Sequence, residues 1–409
     1  MGRNFICYEP EYVGKFKCEG DKCGALCCKD WEVTIDKETY QKYKLIQQRK
    51  LRKKIIDEIE MKTSSGDYRI KMHENRCPFL CYDYRCAIQK ELGEAMLSEV
   101  CTQYPRRYFK ISENMLFRVL SITCPIARKL ALLKPDSMRI KKRTILLNKS
   151  ISLYKKIDES IPQDIILSIM MTGVNILQNR NYSLDERLFM LAMYIDKCDE
   201  NMHNDVKPDA WEKTSNIYVN NNVYFWKNEF KNIPFLYQQY FSFIFGLLDV
   251  FYEKVVLNLN GRGQEFFTYV EKSFRLDNKE NSKNTQELLN IFINIYNDYA
   301  QYVLSDKWYV IENYLVQQFW GEIVPFSNKE KSMENSFIMF LVYYKLMEFF
   351  LISMVGVKGS KLAVDDILEL LGTISYYVTH VEGFEAIIYE YIEKELDNPV
   401  KMMEKLLIV

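Results

Sequence analysis

Residues 16–28 read FKCEGDKCGALCC and place Cys18, Cys23, Cys27 and Cys28 within eleven positions. Ten of the eleven cysteines in this chain of 409 residues lie in its first 124 residues, and the remainder of the sequence holds one, Cys198. Thiols distributed this unevenly indicate a site that they build together, because packing cysteines would be spread along the chain. The candidate sites are a disulfide framework, a zinc site and an iron–sulfur cluster.

The composition is that of an ordinary soluble protein with a large core. Apolar residues make up 48% and charged residues 27% of the sequence, and a chain of this length normally forms two or three domains. Lys+Arg and Asp+Glu both number 55, so no basic excess argues for a nucleic-acid partner. The high aromatic content of 14%, with few Gly and Pro, favours a well-packed and mostly helical protein.

The N-terminus carries no targeting signal. Residues 1–15 include Arg3, Glu9, Glu11 and Lys15 and lack the apolar segment of a secretory signal peptide. We therefore expect a cytoplasmic protein in a reducing compartment, where disulfides are rare. An odd number of cysteines also fits a disulfide framework poorly. Zinc and iron–sulfur sites remain the two candidates.

Two alternations of apolar and polar residues indicate strands in the N-terminal part. Residues 31–36 read WEVTID and alternate with the period of two that a half-buried strand shows. Tyr68, Ile70 and Met72 alternate in the same way and are candidates to pair with this strand. Apolar residues near helical spacing predict a helix over residues 37–61.

Two cysteines lie on predicted helices. Residues 88–104 have an amphipathic pattern, and Cys101 follows Leu97 by one turn, so Cys101 is expected to face inward with the apolar stripe. Cys124 precedes Pro125, a residue suited to the first turn of a helix that runs to about residue 133. At that helix N-terminus, free N–H groups and the helix dipole favour a thiolate.

The chain divides near residue 130. Residues 1–130 are predicted to form a small cysteine-rich α+β metal-binding domain, and residues 131–409 a large all-helical domain that binds substrate or cofactor, so the fold class is mainly α. The polar residues 201–222 are predicted to form a loop. Helical periodicity predicts helices over residues 161–178, 184–198, 235–258, 282–304, 308–320, 335–355 and 364–396.

Two apolar stretches, residues 241–257 and 336–357, resemble membrane-spanning helices in composition. Charges such as Glu253, Lys345 and Glu348 interrupt them, whereas a spanning helix needs about 20 residues with few or no charges. We therefore predict buried helices and no transmembrane segment, and the sequence leaves peripheral membrane association and oligomerisation open. Residues 128–156 form a basic stretch, whose central basic run at residues 139–143 fits either a solvated face or contact with an acidic partner or an anionic cofactor group.

The cysteine spacing suits more than one metal. Soft thiolates select zinc, Cu(I) or iron–sulfur clusters, and structural zinc uses pairs two to four residues apart. Cys23 with Cys27 and Cys77 with Cys81 would form such a set. An Fe4S4 cluster needs four cysteines, which this domain also supplies. Neighbours on an extended chain point in opposite directions, so one thiol of the adjacent pair that ends at Cys28 is expected to face the metal and the other to pack inward.

The order of these motifs resembles a known family. Residues 10–43 have the form P-x-Y-x3-F-x-C-x4-C-x3-C-C-x2-W-x-V-x-I-D-x2-T-Y-x2-Y. The segments that follow are RCPFL at 76–80, RCAIQKELG at 85–93, LSEVC at 97–101 and LSITCP at 120–125. This part of the chain, about residues 8–130, resembles the flagellin lysine-N-methylases of the FliB family, and more distantly the small zinc- or iron-chelating cysteine-rich domains. A weaker similarity is ENYLV at 312–316, followed by Pro325 and Phe326.

The resemblance implies a protein-lysine N-methyltransferase that acts on flagellin in the cytoplasm. It also implies S-adenosylmethionine as the methyl donor and a cysteine-ligated Fe4S4 cluster, with zinc as the alternative metal. The compact group at residues 18–28 is expected to contribute ligands, because ligands close in sequence need the least chain ordering to converge. The positions that match the family pattern are Cys18, Cys23, Cys27, Cys28, Cys77, Cys86, Cys101 and Cys124.

Motifs for the cofactor and for catalysis are missing from the sequence. There is no G-x-G-x-x-G after a strand, which argues against a Rossmann-type methyltransferase, and no C-x3-C-x2-C motif of the radical enzymes that use S-adenosylmethionine. With three scattered histidines, of which His73 lies nearest the cysteines, a histidine-based hydrolytic zinc site is poorly supported. The alternative function is a non-catalytic zinc- or iron-binding module fused to a helical protein-interaction scaffold.

Overall fold

The chain folds into two compact units in a computed structural model. Unit 1 comprises Met1–Leu130 and Arg139–Lys155, and unit 2 comprises Ala131–Met138 and Lys156–Val409. The structure describes residues 3–20, 23–29, 33–61, 68–147, 151–154, 157–158, 160–204, 208–219, 223–232, 236–257, 263–276, 284–327, 332–381, 383–395 and 406.

Unit 1 contains two small sheets and short helices. Its strands are β1 (Arg3–Pro10), β2 (Thr34–Ile35), β3 (Ile59–Met61), β4 (Tyr68–Ile70), β5 (Arg106–Lys110), β6 (Met115–Leu120) and β7 (Ile140–Leu147). Its helices are α1 (Lys37–Lys44), α2 (Arg49–Asp57), α3 (Ala87–Leu92), α4 (Glu99–Gln103) and the start of α5 (Pro125–Leu132). One sheet has the strand order β5-β6-β1-β7, and the other has the order β2-β4-β3.

The first sheet explains why unit 1 includes residues beyond 130. Strand β1 pairs in parallel with β6 and antiparallel with β7, from Arg3 opposite Leu147 to Pro10 opposite Ile140. The basic run predicted as a solvated face or a binding surface therefore lies on β7, an edge strand. One member of this run, Arg143, forms an ion pair of 3.0 Å with the buried carboxylate of Glu9 on β1.

The second sheet confirms the predicted strand pairing and corrects one predicted helix. Strands β2 and β4 pair antiparallel, while residues 31 and 32 lie outside the described residues. Residues 37–61 form α1, α2 and β3 rather than one helix. A continuous helix would place Ile46 and Ile55, nine residues apart, on opposite faces. The turn between α1 and α2 instead brings both into one core.

The predicted helix over residues 88–104 is also divided. Helix α3 ends at Gly93, whose φ of 86° lies outside the right-handed helical region and favours glycine. Helix α4 then starts afresh, because the Ser98 side chain accepts a hydrogen bond of 3.3 Å from the Cys101 N–H. Leu97 and Cys101 still pack against the same core, as the apolar stripe predicted.

Unit 2 is built from α-helices, and the mainly α fold with a small strand-containing N-terminal part confirms the predicted fold class. Its helices after α5 are α6 (Gln163–Leu177), α7 (Leu184–His203), α8 (Pro208–Val219), α9 (Val223–Lys231), α10 (Tyr237–Phe251), α11 (Gln264–Phe274), α12 (Thr285–Tyr299), α13 (Trp308–Gly321), α14 (Met333–Lys358), α15 (Val364–His380) and α16 (Phe384–Glu395). A π-helical turn follows both α10 and α12.

Two predictions for unit 2 are wrong. The predicted loop at residues 201–222 contains α8, because Trp211, Thr214 and Tyr218 recur at helical spacing and are all buried. The predicted helix at residues 364–396 is two helices, α15 and α16. They are separated at Gly383, which has a φ of 79° that glycine adopts readily.

Helix α14 lies in the core of unit 2. The stretch Met333–Lys361 is long and apolar enough to cross a membrane, but 94% of its most apolar window is buried inside this unit, as in a core helix. The charges within it are paired: the Lys345 ammonium donates to Asp185 at 2.7 Å and to Glu348 at 2.8 Å. Burial opposes the charge on Lys345, but the two carboxylates outweigh burial and raise its pKa.

Replacing Lys345 with alanine tests this buried ion network. The variant leaves two carboxylates buried without their cation, so we expect the free energy of unfolding to fall by about 3–5 kcal/mol. Urea unfolding of the full chain, followed by circular dichroism, measures the change. Lys394→Ala is the control, because Lys394 forms an exposed pair with Glu390 one helical turn away and its loss should leave unfolding unchanged. If Lys345→Ala and Lys394→Ala changed the free energy of unfolding equally, the buried ion network would not have this stabilising role.

Candidate metal centre

Seven of the eight predicted ligand cysteines line one cavity in unit 1. The cavity has a volume of about 520 Å3. Its cysteines are Cys18, Cys23, Cys27, Cys28, Cys86, Cys101 and Cys124. The eighth, Cys77, does not line it and is buried in the apolar core behind it. We call this group of seven side chains the thiol wall.

Loop geometry brings the two cysteine-rich segments together. Gly24 and Ala25 have φ values of 65° and 50°, which turn the chain so that Leu26–Cys28 forms a 3-10 turn. The Cys77 N–H donates to the Cys28 carbonyl at 2.9 Å and joins the segments. Gly20 packs so closely against the other loop that a Cβ there would lie 2.7 Å from the Tyr84 carbonyl oxygen.

Helix starts direct backbone N–H groups at two wall cysteines. Cys124 immediately precedes α5 and receives hydrogen bonds from the backbone of Ile126 and Ala127. Burial nevertheless outweighs these donors and raises the pKa of Cys124 to about 11. The N–H groups at the helix start lower the pKa of Cys124, in the direction predicted, but the desolvation of a buried charge exceeds what two N–H groups supply. Cys86, which precedes α3, has the same arrangement.

The adjacent cysteines share one proton network. The Cys28 thiol hydrogen-bonds Cys27 and thereby lowers the pKa of Cys27, while the same bond together with burial raises the pKa of Cys28. Both side chains line the cavity. The expectation that the two would point in opposite directions assumed an extended chain and is wrong, because these residues lie in a 3-10 turn.

Cys27 is the common neighbour of the other cysteines. Burial is the main cause of the raised pKa values of its neighbouring cysteines, except for Cys28, where the main cause is the hydrogen bond with Cys27. A negative charge on Cys27 raises the pKa values of all of them further. The affected residues are Cys18, Cys28, Cys77, Cys86, Cys101 and Cys124. Cys27 therefore lies centrally among thiols that come from four separate parts of unit 1.

The cavity suits a group larger than one ion. Zinc binds thiolates at about 2.3 Å, so four sulfurs around one zinc lie roughly 3.8 Å apart. Across the described ranges, no group of three or more His, Cys, Asp or Glu side chains is placed to hold a metal ion in that way. An iron–sulfur cluster contributes its own iron and sulfide and takes thiolates spaced farther apart. The cavity volume also falls in the range of small-molecule sites, about 300–1,000 Å3.

Only two members of the proposed zinc set, Cys23 and Cys27, line the cavity. The set also required Cys77 and Cys81, and neither side chain lines the cavity. His73 bonds Glu58 at 2.6 Å on the surface and also lies outside the cavity wall. The other two cysteines outside the family pattern are buried elsewhere, Cys7 on β1 and Cys198 on α7.

Several non-cysteine side chains of the cavity were missed by sequence reasoning. Phe16 and Tyr104 add aromatic surface, and Arg85 and Lys90 add positive charge. Phe16, Arg85 and Tyr104 stand within three residues of a wall cysteine in the sequence, which is a usable signal. Lys90 lies one turn after Cys86, at the spacing at which helical residues share a face.

The second half of the chain matches a family model described as the FliB lysine N-methylase C-terminal domain, over residues 172–406. Lysine-N-methylases of Salmonella typhimurium and Salmonella choleraesuis are each 34% identical over 142 residues, which is 34% of this chain and 35% of the length of each relative. The flagellar biosynthetic protein FliU of Salmonella muenchen is 34% identical over 136 residues, which is 32% of this chain and 80% of that protein. No solved structure is significantly similar to this chain.

Replacing Cys28 with alanine tests the shared proton network in metal-free protein. The change removes the thiol that hydrogen-bonds Cys27, so the pKa of Cys27 should rise and its alkylation at about pH 8 should slow, because the thiolate is the nucleophile. Mass spectrometry of iodoacetamide-treated protein across a pH series follows Cys27 specifically. Cys7→Ala, on β1, is the control and should leave the pH dependence of Cys27 alkylation unchanged. Identical profiles in Cys28→Ala and wild-type protein would contradict the pairing.

Proposed function

Because the chain belongs to the FliB lysine N-methylase family, we propose that it is an enzyme that methylates lysine side chains of flagellin. The family match over residues 172–406 and the names of its relatives support this activity. The name of the FliU relative supports a flagellar substrate. S-adenosylmethionine as methyl donor and a cytoplasmic location belong to the same proposal. The matched stretch is about a third of the length of the two methylases, so the activity of the whole protein is part of the proposal.

We further propose that the thiol wall holds an Fe4S4 cluster, with four of its seven cysteines as ligands. The observation that carries this proposal is the convergence of seven thiols on one cavity of about 520 Å3. Backbone N–H groups directed at Cys86 and Cys124 support it, because such donors stabilise thiolates bound to a metal. The proposed ligand set leaves out Cys77, because its side chain packs in the apolar core and does not line the cavity.

The cysteines of the thiol wall that bind a metal must first lose their thiol protons. Burial raises the pKa of Cys101 to about 12 and that of Cys124 to about 11, so both are neutral thiols in the metal-free protein. Metal ligation requires thiolates, so loading releases these protons. When bound, an iron–sulfur cluster supplies a redox-active metal centre. If methyl transfer is polar, the target amine must be neutral, which requires a lowered pKa or a base.

Alanine substitutions test the cluster. We expect anaerobically purified wild-type protein to be brown and to contain iron and acid-labile sulfide in about a four-to-four ratio per chain. Cys27→Ala should lose most of its iron, because Cys27 is central to the wall. Cys77→Ala and Cys81→Ala are matched controls in the same unit and should keep their iron. Colourless wild-type protein with one zinc per chain, or loss of iron in Cys77→Ala but not in Cys27→Ala, would contradict the proposal.

The activity is tested with flagellin and S-adenosylmethionine labelled in its methyl group, under anoxic and reducing conditions. The expected result is label on flagellin lysines, located by mass spectrometry, and no label on flagellin whose lysines have been acetylated. Protein that carries its metal and binds flagellin without transferring label would instead be the non-catalytic module with a helical scaffold.

A further inference from the structure

A second cavity lies within unit 2, among side chains of α13, α14, α15 and α16. Its volume is about 70 Å3. The side chains that matter here are Tyr314 on α13, Glu322 just after α13, Ser336 and Tyr343 on α14, and Glu385 on α16. We call it the tyrosine–glutamate cavity.

Two hydroxyl groups of this cavity lack a partner. The Ser336 Oγ and the Tyr343 Oη are buried and accept or donate no hydrogen bond to any of the described residues. A buried polar atom without a partner costs free energy, so each such atom in a native protein calls for an explanation. Because both side chains line the same cavity, a polar group of a ligand would satisfy both.

The cavity is acidic and aromatic. Burial raises the pKa of Tyr343, and the negative charges of Glu385 and Glu322 raise it further, so both carboxylates lie near its hydroxyl. The described residues that line the cavity include three tyrosines and one phenylalanine, and none of them is basic. Carboxylates beside aromatic faces attract a cation and not an anion.

The size of the cavity restricts the cation. A water-sized group needs about 10–15 Å3, so the cavity has room for about five such groups. A lysine side chain beyond its Cα consists of five heavy atoms, four carbons and one nitrogen. S-adenosylmethionine, with a nucleoside and an amino acid attached to its sulfonium, is several times larger. An extended alkylammonium group fits, and the methyl donor does not.

The walls of the cavity are held by buried ion pairs. The Glu312 carboxylate, fully buried on α13, accepts hydrogen bonds from Arg187 at 2.7 Å and Arg180 at 3.0 Å. The neighbouring Asn313 amide donates to the Lys134 carbonyl at 2.9 Å. These contacts fix the helix that carries Tyr314 and explain why Glu312 and Asn313 stand beside it in the segment ENYLV.

The opposite wall is held by aromatic packing. The Tyr343 ring stacks on Phe384 with a centroid separation of 5.5 Å. Phe384 begins α16 and is followed directly by Glu385. The stacking therefore holds this carboxylate close to the Tyr343 hydroxyl.

We propose that the tyrosine–glutamate cavity receives the side chain of the lysine to be methylated. This inference rests on the proposed function and adds to it the place where the substrate amine binds. The tyrosine faces contact the methylenes, and the carboxylates of Glu322 and Glu385 attract the ammonium. The buried hydroxyls of Ser336 and Tyr343 accept hydrogen bonds from its N–H groups.

Binding of n-butylammonium, a lysine side-chain mimic, tests the cavity without any need for activity. Calorimetry or ligand-observed NMR on the full chain should give binding about tenfold tighter than for 1-butanol, its neutral isostere.

Glu385→Gln, at an exposed position that should not affect folding, should weaken n-butylammonium binding about tenfold and leave 1-butanol binding unchanged. Glu390→Gln, an exposed glutamate outside the cavity on the same helix, is the matched control. Equal affinities for the cation and the alcohol, or no effect of Glu385→Gln, would overturn the proposal.

A kinetic experiment separates this inference from the proposed function. Glu385→Gln should raise the KM for flagellin about tenfold while the iron content and the KM for S-adenosylmethionine stay unchanged. If wild-type protein binds n-butylammonium as predicted but does not methylate flagellin, the proposed function is wrong and the cation site is still supported. If Glu385→Gln methylates flagellin with an unchanged KM for flagellin, the cation site is wrong and the proposed function is still supported.

Discussion

Seven thiols that line one cavity set the main constraint on unit 1. Cys27 and Cys28 lie in the same short 3-10 turn, and the Cys28 carbonyl accepts the N–H of Cys77 in the core directly behind the wall. The apolar core and the thiol wall thus use the same loops. Because burial favours neutral thiols, metal loading must displace protons, and folding of the wall is coupled to ligand binding.

The sequence carries a local signal for where part of the thiol wall lies, while the metal ligands stay a prediction. The group at residues 18–28 lies in the wall, and the inward position of Cys101 follows from its spacing to Leu97. Spacing alone carries no information about the side of a loop on which a thiol lies. Cys77 matches the family pattern as well as Cys86 does, but its side chain packs in the core and does not line the cavity, and its role as a ligand stays a prediction.

Interruptions of helices by glycine account for other differences between the predicted and the observed helices. Gly93 follows the last residue of α3, and Gly383 lies between α15 and α16. The apolar spacing continues on both sides of each glycine, so periodicity alone extends the helix across them. Helix α8 was missed for the opposite reason, since few of its apolar residues, such as Trp211 and Tyr218, are buried while Ile217 is exposed, so no continuous apolar stripe marks it. The tyrosine–glutamate cavity had no sequence signal, because Tyr343 and Glu385 meet through the packing of α14 and α16.

The central proposal for this protein is an iron–sulfur cluster in the thiol wall. Anomalous diffraction from crystals of anaerobically purified protein, collected on both sides of the iron absorption edge, locates iron directly. The account predicts a compact group of iron peaks inside the cavity, bonded to Cys27 and to other wall cysteines, with Cys77 outside bonding distance. A single zinc peak bound through Cys77 and Cys81, or iron peaks away from the wall, would contradict it.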